Sequence, residues 1–523
     1  MKLLKKSIFL LLAGVLVLTS CKDEKANLQL SAIPSDAFFV VAIENQKMVK
    51  KGGLGNLSDY KFFQKLQDEM KNDINPAVQE IVDELMKNPK SSGLDTEKAY
   101  IYGSVVEDGI YCVFNYKMDN QSAFEKKVKE LFESQNKPLP EVENLGGVKL
   151  ISHGDKFVVA WNEDLLLLFI GERSSLDYKS FFEIPADKSI MSVADFATFQ
   201  KEPYDIACWM AYSDFLTIFE KIGSDITMPA YMQEFADTYF HGYVNFNDGE
   251  IRATGKMSPQ SKVDDFNKKY PIIKKDINTV LLEDFPDKSY FLTSMSVNWD
   301  EYFKLFSENM AQMGKMQGMM DAYEEILSNP TAKTILDIFD GDLVFSLYNF
   351  AQGPFPIPLA GLSFTLKNES DFDRFLGLFP QNMLTKNGDY YVMATPFMVT
   401  LNIACKDKRV LITDDADAVA SFVGKGFSSN LKNSEMANEL KKSPVFFYMN
   451  LDLETYPESL KALIAAYSTS EINAGLKVLE PMKDVSYYAT EKSEIVFSLK
   501  FKDSKQNSLK TLLKSVDNLA PEM

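Results

Sequence analysis

The stretch Leu18-Thr19-Ser20-Cys21 is where residue types and spacing point most directly to a chemical reaction. An apolar residue and two small residues before a cysteine form a lipobox, in which the cysteine thiol takes a diacylglyceryl group. Three lysines precede it, followed by the apolar run Ile8–Leu18, which has the length of a signal-peptide core and is too short to cross a bilayer comfortably. We therefore predict a signal peptide over 1–20, cleavage before Cys21, and a lipid anchor on Cys21.

A charged segment, Lys22-Asp23-Glu24-Lys25, opens the mature chain. It is similar to the acidic export signal that directs Bacteroidetes lipoproteins to the outer face of the outer membrane, and the same charges also suit a solvated tether. We expect residues 21–27 to form an acidic tether. The predicted location is the outer membrane with the protein facing outward, and the periplasmic face is the alternative.

Catalytic signatures are scarce in this sequence. The chain has two histidines, His153 and His241, and neither lies near a G-x-S-x-G nucleophile motif, as a serine hydrolase of that kind would require. The sequence also contains no G-x-x-x-x-G-K-[ST] and no G-x-G-x-x-G motif for a nucleotide. A glycan hydrolase needs only two carboxylates, which leaves that class as an alternative. We expect a protein without enzymatic activity, and we assign no catalytic residue and no cofactor.

Metal-binding patterns are equally weak. Cys112, Cys208 and Cys405 follow Cys21, and the sequence has no C-x-x-C and no Cys/His cluster, so we predict buried thiols rather than a zinc site. The acidic segment 414–417 lacks the spacing of a calcium loop and is better explained as a loop or a helix start. We predict no metal site. A soft-metal site is a further alternative, because five methionines follow helical spacing: Met310, Met313, Met316, Met319 and Met320.

Charge and composition exclude other classes of protein. Removing Lys2, Lys5 and Lys6 with the signal leaves 53 basic residues against 74 acidic ones, a net charge near −21. This charge argues against nucleic acid as a partner. With 46% hydrophobic residues, including 39 Phe and 23 Tyr, the chain has ample material for a core and is not disordered over most of its length.

An internal duplication sets the architecture that must position any site. Residues 114–125 align without gaps on residues 362–373, a shift of 248 positions. Both segments read as an alternating strand, a polar turn and a helix start. Other segments match in the same order, and they pair Phe124 with Phe372 and Trp161 with Cys405. We predict two similar halves, 28–280 and 281–523.

A finer period is also visible. A strand followed by an amphipathic helix begins near Phe38, Ala207, Tyr290 and Phe446, and a strand followed by a Ser-capped helix recurs at Ser122, Ser261, Ser370 and Ser504. Glu125 follows Ser122, and Asp373 follows Ser370, at the spacing of a capping box. Tight turns such as Asn247-Asp248-Gly249 predict antiparallel hairpins. The predicted fold class is α+β, a tandem duplication of an antiparallel sheet with helices packed on one face. Each half would contain two related α+β modules, and each module would begin with a strand followed by an amphipathic helix.

The whole pattern resembles a known family. A lipobox, an acidic start, the opening "IPSDAFFVV" and a duplicated α+β body resemble an uncharacterised lipoprotein family of gut Bacteroidetes, described only as a domain of unknown function. The resemblance covers essentially the whole mature chain and depends on the overall pattern rather than on one motif. It implies location and fold class, and it implies no activity.

One loop differs between the halves and is the candidate contact surface. Residues 353–359 read Gly-Pro-Phe-Pro-Ile-Pro-Leu, whereas the corresponding hairpin of the first half turns at Asp108-Gly109. Three prolines stiffen the loop, so Phe355, Ile357 and Leu359 are predicted to contact a partner, unless the loop folds back on its own sheet. The sequence therefore favours a non-enzymatic binding or accessory lipoprotein, with an unknown protein or glycan as ligand.

Overall fold

The structure is a computed structural model of the 523-residue chain. It describes residues 26–55, 59–65, 80–81, 84–85, 88–106, 109–134, 138, 140–152, 157–171, 176–222, 230–274, 277–310, 328–351, 353, 356–395, 399–490 and 492–519. Cys21, Phe355, His153 and Met313–Met320 therefore lie outside the described residues, and the predictions made for them stay predictions.

The chain divides into two compact units. The first unit contains the chain up to Phe219, then Asp237–Ser258 and the segment that begins at Asp503. The second unit contains Glu220–Ala236 and Pro259–Lys502. The boundary at Ser258 and Pro259 falls about twenty residues before the boundary expected between the sequence halves, and the C-terminal helix belongs to the first unit.

Ten described strands form the sheet of the first unit, and every described pairing is antiparallel. In space the strands follow the order β4-β5-β6-β7-β3-β2-β1-β8-β9-β10. They are β1 (Phe39–Ile43), β2 (Leu94–Val106), β3 (Gly109–Met118), β4 (Glu143–Leu145), β5 (Val148–Ser152), β6 (Phe157–Trp161), β7 (Leu165–Gly171), β8 (Ile206–Ala211), β9 (Tyr239–Asn247) and β10 (Glu250–Ser258).

The second unit repeats this order strand for strand. Its described strands pair antiparallel as β14-β15-β16-β17-β13-β12-β11-β18-β19-β20. They are β11 (Phe291–Ser296), β12 (Phe339–Ala351), β13 (Ile357–Leu366), β14 (Leu384–Asn387), β15 (Tyr390–Ala394), β16 (Thr400–Lys406), β17 (Arg409–Thr413), β18 (Val445–Asn450), β19 (Met482–Ala489) and β20 (Ile495–Phe501). The duplicated α+β fold predicted from the sequence is confirmed.

Helices follow the strands at matching points of the two units. The first strand of each module, β1, β8, β11 or β18, leads into a helix, and β1 pairs with β8 as β11 pairs with β18. The described α-helices are α1 (Ala26–Ser31), α2 (Asn45–Gly52), α3 (Gln121–Ser134), α4 (Ala194–Phe199), α5 (Tyr212–Ile222), α6 (Ala230–Gln233), α7 (Gln260–Lys269), α8 (Trp299–Met310), α9 (Pro330–Ile338), α10 (Asp371–Leu376), α11 (Ala416–Val423), α12 (Ala437–Lys441), α13 (Glu458–Tyr467), α14 (Ser470–Leu479) and α15 (Ser508–Leu519).

Alternation along the strands divides the apolar side chains of each unit between two clusters. In β3, Tyr111 and Val113 join one cluster while Tyr116 and Met118 join the other, because successive strand residues point to opposite faces of the sheet. The second unit repeats this division in β13 to β17. The smaller cluster of the first unit lies under α3 and is the floor of the site described below.

Capping contacts differ from the sequence expectation. Asn120 rather than Ser122 caps α3, since its Oδ1 accepts from the Ala123 N–H at 3.0 Å. Ser122 lies within α3 and is not its N-cap, so the predicted capping box is wrong. The predicted hairpin turn at Asn247-Asp248-Gly249 is confirmed, and Gly249 adopts a φ of 69°, which favours glycine.

Candidate functional site

A cleft of about 500 Å³ lies between α3 and the strands β4 to β6 of the first unit. Its volume is within the range of small-molecule sites. Glu125, Lys126, Val128 and Lys129 line it from α3, and the opposite wall is formed by Val142, Asn144, Lys149, Ile151 and Trp161. It thus combines an apolar wall with several charged groups.

The position of α3 follows from its apolar spacing. Phe124, Val128 and Leu131 recur at helical intervals and face the cluster that contains Trp161 and Ile151. The Phe124 and Trp161 rings meet edge to face, with their centroids 5.5 Å apart. This contact holds one end of the helix against β6 and leaves the next helical turn to form the rim of the cleft.

A polar network fixes the charged groups at the base of the cleft. The Glu125 carboxylate accepts hydrogen bonds from the Lys149 ammonium at 2.7 Å, the Trp161 indole N–H at 3.1 Å and the Gln121 amide at 2.7 Å. Burial raises the pKa of Glu125, but these three donors outweigh burial and lower it. Glu125 is therefore ionised at neutral pH, and it neutralises and orients Lys149.

Two further lysines stand at the rim. The side chains of Lys126 and Lys129 are 75% and 62% exposed, and their ammonium groups lie 3.5 and 3.6 Å from Glu130 and Glu133. Exposed pairs at this spacing contribute little free energy. Both ammonium groups are therefore available to a bound molecule at low cost.

The equivalent place in the second unit is filled. Ile151 is paired with Val159 as Tyr391 is paired with Ile403, so Tyr391 occupies the place of Ile151. The Tyr391 ring lies 6.2 Å from that of Phe372, and Phe372 lies 6.4 Å from Phe375. Aromatic side chains thus take up the volume that is open in the first unit.

A serine and an aspartate, both partly buried, meet the buried His241 elsewhere in the first unit. His241 Nε2 lies 2.6 Å from Asp195 Oδ2, and Ser258 donates to the other oxygen of the same carboxylate. The Trp209 indole N–H also donates to Asp195, at 3.0 Å. Burial raises the pKa of Asp195, but these hydrogen bonds outweigh burial and lower it. In a catalytic triad the histidine accepts the serine proton, whereas here aspartate stands between serine and histidine. The arrangement therefore stabilises the fold and does not activate Ser258 as a nucleophile.

The second unit contains a buried ion pair. Asp284 accepts from the Arg409 guanidinium and, at 2.7 Å, from the Ser363 hydroxyl. Burial raises the pKa of Asp284 to about 7, against the opposing effects of Arg409 and Ser363. This pair ties the turn before β11 to β13 and β17, and it lies in the core rather than in a cleft.

The Pro-rich loop is described in part. Ile357 is 56% exposed, and Leu359 packs against the core of the second unit. The hairpin continues to Ala351 paired with Ile357, so Ile357 belongs to the ladder of β12 and β13. Of the three predicted contact residues, the structure thus leaves Ile357 open to a partner and commits Leu359 to packing.

The remaining candidate residues have structural roles where they are described. Cys112, Cys208 and Cys405 are free thiols on strands, and burial raises the pKa of Cys112 and of Cys405 to about 11. Asp415 caps α11 through the amides of Asp417 and Ala418, so the interpretation of this segment as a helix start is confirmed. Among the described residues, no group of three or more His, Cys, Asp and Glu side chains is placed to hold a metal ion.

The α3 cleft was not predicted from the sequence. Trp161 and Glu125 were each noticed, one as a duplicated strand position and the other as a helix-cap residue. Lys149, on β5, was not singled out. An apolar strand that ends in a single tryptophan, opposite a helix with three lysines, was the available signal.

Two solved structures resemble parts of the chain. Crystal form I of the protein TP0453 covers 48% of this chain and 87% of its own, at 9% identity and a TM-score of 0.23. Crystal form IV covers 44% and 79%, at 9% identity and a TM-score of 0.21. At these TM-scores the likeness supports no argument about function.

Family membership is established by sequence. Among curated proteins, none matches the chain. A family model matches residues 30–509, which is most of the chain, and it confirms the expected resemblance to a family of unknown function. The chain belongs to the family described as Domain of unknown function (DUF4836).

Proposed function

We propose that this chain is a non-enzymatic binding lipoprotein, anchored through Cys21 in the outer membrane and facing outward, which holds a small ligand in the α3 cleft. The observation that supports the proposal is a difference between the α3 cleft of the first unit and the equivalent place in the second unit. The cleft of the first unit is open and lined by charge, whereas Tyr391 and its aromatic neighbours fill the second.

The two duplicated segments have the same backbone arrangement to pack. A cleft that is open in one segment and filled in the other therefore needs an explanation. Packing the partly exposed Val128 and Val142 against a bulky neighbour would stabilise the first unit, as aromatic rings do at the equivalent place of the second. Leaving apolar side chains at an open cleft forgoes that stabilisation. Ligand binding supplies a reason for keeping the cleft open.

The geometry gives less support to the glycan hydrolase alternative. A glycosidase acts through two carboxyl groups on either side of the scissile bond. Among the described residues that line the cleft, Glu125 is the one carboxylate, its pKa is lowered, and its oxygen already accepts three hydrogen bonds. Such a group is poorly suited to donate a proton, and the described part of the lining offers no second carboxylate to act with it. Binding without chemistry is therefore the better explanation of this cleft.

Filling the cleft tests its role. Ile151→Tyr introduces the residue that the second unit carries at this place, and Ile110→Tyr adds the same ring at an exposed position of β3 as the control. Ligand-observed NMR with a collection of small fragments should detect binding to the wild-type protein and to Ile110→Tyr, and lose it with Ile151→Tyr. Equal melting temperatures of the two variants show that the fold is kept. Fragment binding that survives Ile151→Tyr would contradict the proposal.

The anchor is tested separately. Support for it comes from the lipobox, the short apolar run before it and the charged segment after it. Cys21→Ala should move the protein from the outer membrane fraction to the soluble fraction, with Cys112→Ala as the matched control. Protease added to intact cells should digest the wild-type protein if it faces outward. Protection in intact cells would favour the periplasmic face, and membrane association of Cys21→Ala would remove the anchor from the proposal.

A further inference from the structure

The side chains that line the α3 cleft include more basic than acidic groups, unlike the chain as a whole. The chain carries a formal net charge of −18, yet the lining contains three lysines and one carboxylate. Glu125 and Lys149 neutralise each other through a 2.7 Å ion pair. At the rim, Lys126 and Lys129 line the cleft, whereas Glu130 and Glu133, which pair with them at 3.5 and 3.6 Å, are not among the lining residues.

From this we propose that the cleft binds a small organic anion with an apolar body. This proposal rests on the proposed function and names its ligand class. The apolar body lies along Val128, Val142 and Ile151, where an apolar group is removed from water. The anionic group meets the ammonium groups of Lys126 and Lys129, which exchange weak pairs on the same helix for a ligand carboxylate.

The polar network explains why the anion is directed to the rim. Glu125 is ionised and accepts from both Lys149 and the Trp161 indole N–H, so the charges at the base of the cleft balance and its polar groups already have partners. A ligand carboxylate placed there would lie beside the Glu125 carboxylate and be repelled. At the rim the same carboxylate meets two cations and remains partly hydrated, which avoids a large desolvation cost.

A neutral glycan fits this cleft less well. Sugar rings are commonly bound on the open face of an aromatic side chain, and the aromatic ring of this cleft belongs to Trp161. Trp161 is only 2% exposed, and its indole N–H is engaged by Glu125. It therefore presents little surface for stacking. A ligand with an apolar body and one anionic end matches the apolar side chains and the rim lysines of the lining.

The probe is 4-phenylbutyrate, which joins an apolar body to a carboxylate, and its neutral match is 4-phenylbutyramide. Isothermal titration of the full mature chain at neutral pH and low salt should show saturable binding of the carboxylate. The amide should bind at least about tenfold more weakly, and added salt should weaken binding of the carboxylate alone.

Charge reversal locates the anion. Lys126→Glu with Lys129→Glu should lower the affinity for 4-phenylbutyrate about tenfold or more and leave the affinity for the amide nearly unchanged. Lys268→Glu with Lys505→Glu is the matched control, since it changes the net charge equally at exposed positions outside the lining. Unchanged affinity in the rim variant would overturn the anion proposal.

The outcomes separate this inference from the proposed function. If the amide binds as tightly as the carboxylate and Ile151→Tyr abolishes both, the cleft binds ligands but the anionic class is wrong. If Ile151→Tyr leaves binding of the carboxylate intact, the cleft is not the site and both proposals fail. If wild-type protein binds no carboxylate at millimolar concentration, the ligand class is wrong, and the fragment experiment decides the proposed function.

Discussion

The α3 cleft of the first unit and the region under α10 of the second unit are equivalent places that are packed by different side chains. Equivalent strands form the two floors. Trp161 on β6 is paired with Leu166, and Cys405 on β16 is paired with Val410, so the two residues hold equivalent positions. In the first unit a large indole and a charged network leave an open cleft above the floor. In the second unit a small thiol is combined with several phenylalanines and a tyrosine, and the space is filled.

This difference teaches that equal backbones need not give equal surfaces. Fold and strand order depend on which positions are apolar, and both units keep that pattern. Whether a cleft stays open depends on the sum of side-chain volumes contributed by separate elements. A second pair of places shows the same point. Gln29 and Asn115 link α1 to β3 in the first unit, whereas the second unit links the segment before β11 to β13 and β17 through Asp284, Ser363 and Arg409.

The largest expected effect concerns Trp161 and Cys405, the equivalent residues in the floors of the two regions. Trp161→Ala removes a fully buried indole and should lower the free energy of unfolding by about 3–5 kcal/mol. Cys405→Ala removes a single sulfur atom at the equivalent place and should cost about 1 kcal/mol. Urea unfolding of both variants measures the difference. Similar losses would contradict the assignment of the stabilising contact to the indole.

The buried polar links provide the next comparison. Arg409→Leu leaves Asp284 buried without its counter-charge and should cost about 3 kcal/mol. Gln29→Leu leaves the carbonyl oxygens of Asn115 and Lys98 without this donor and should cost about 1–2 kcal/mol. Chemical unfolding at neutral pH checks both values. A larger loss for Gln29→Leu would reverse the ranking of the two links.

The pH dependence of the free energy of unfolding tests the Asp284 link further. Because the pKa of Asp284 is raised to about 7 in the folded protein, its stabilising contribution is complete below the unfolded value near 4 and is lost as pH rises through about 7. The advantage of wild-type protein over Asp284→Asn should therefore shrink between these limits, by on the order of 1 kcal/mol for each pH unit. Asp187→Asn, at an exposed position, serves as control. An advantage that grows with pH would give the wrong sign for this pKa.

The smallest effect concerns the Pro-rich loop, which stands where the sequence of the first half has the short turn Asp108-Gly109. Leu359→Ser should lower the free energy of unfolding by about 2 kcal/mol, since Leu359 packs on the core. Ile357→Ser should change it by less than about 0.5 kcal/mol, because Ile357 is exposed. Thermal unfolding measures both. A comparable loss from Ile357→Ser would place the loop in the core and end its role as a contact surface.

Much of the fold was accessible from the sequence because its signals are local or repeated. Alternation along β3 and β13, helical spacing in α3 and the turn at Gly249 each lie within a dozen residues. The module starts near Phe38 and Tyr290 were located to within a residue of β1 and β11. Helix caps were less predictable, since Asn120 and Ser122 are both good capping residues and a single hydrogen bond decides between them.

The sequence by itself determined the α+β class, the duplication and the family, since these depend on patterns that survive along the chain. It also determined the prediction of an anchor at Cys21. Only the tertiary structure decided that Glu125, Lys149 and Trp161 meet, since they come from a helix and two strands up to 36 residues apart. It alone decided which duplicated place stays open, because free volume is a property of side chains packed together and no single segment encodes it.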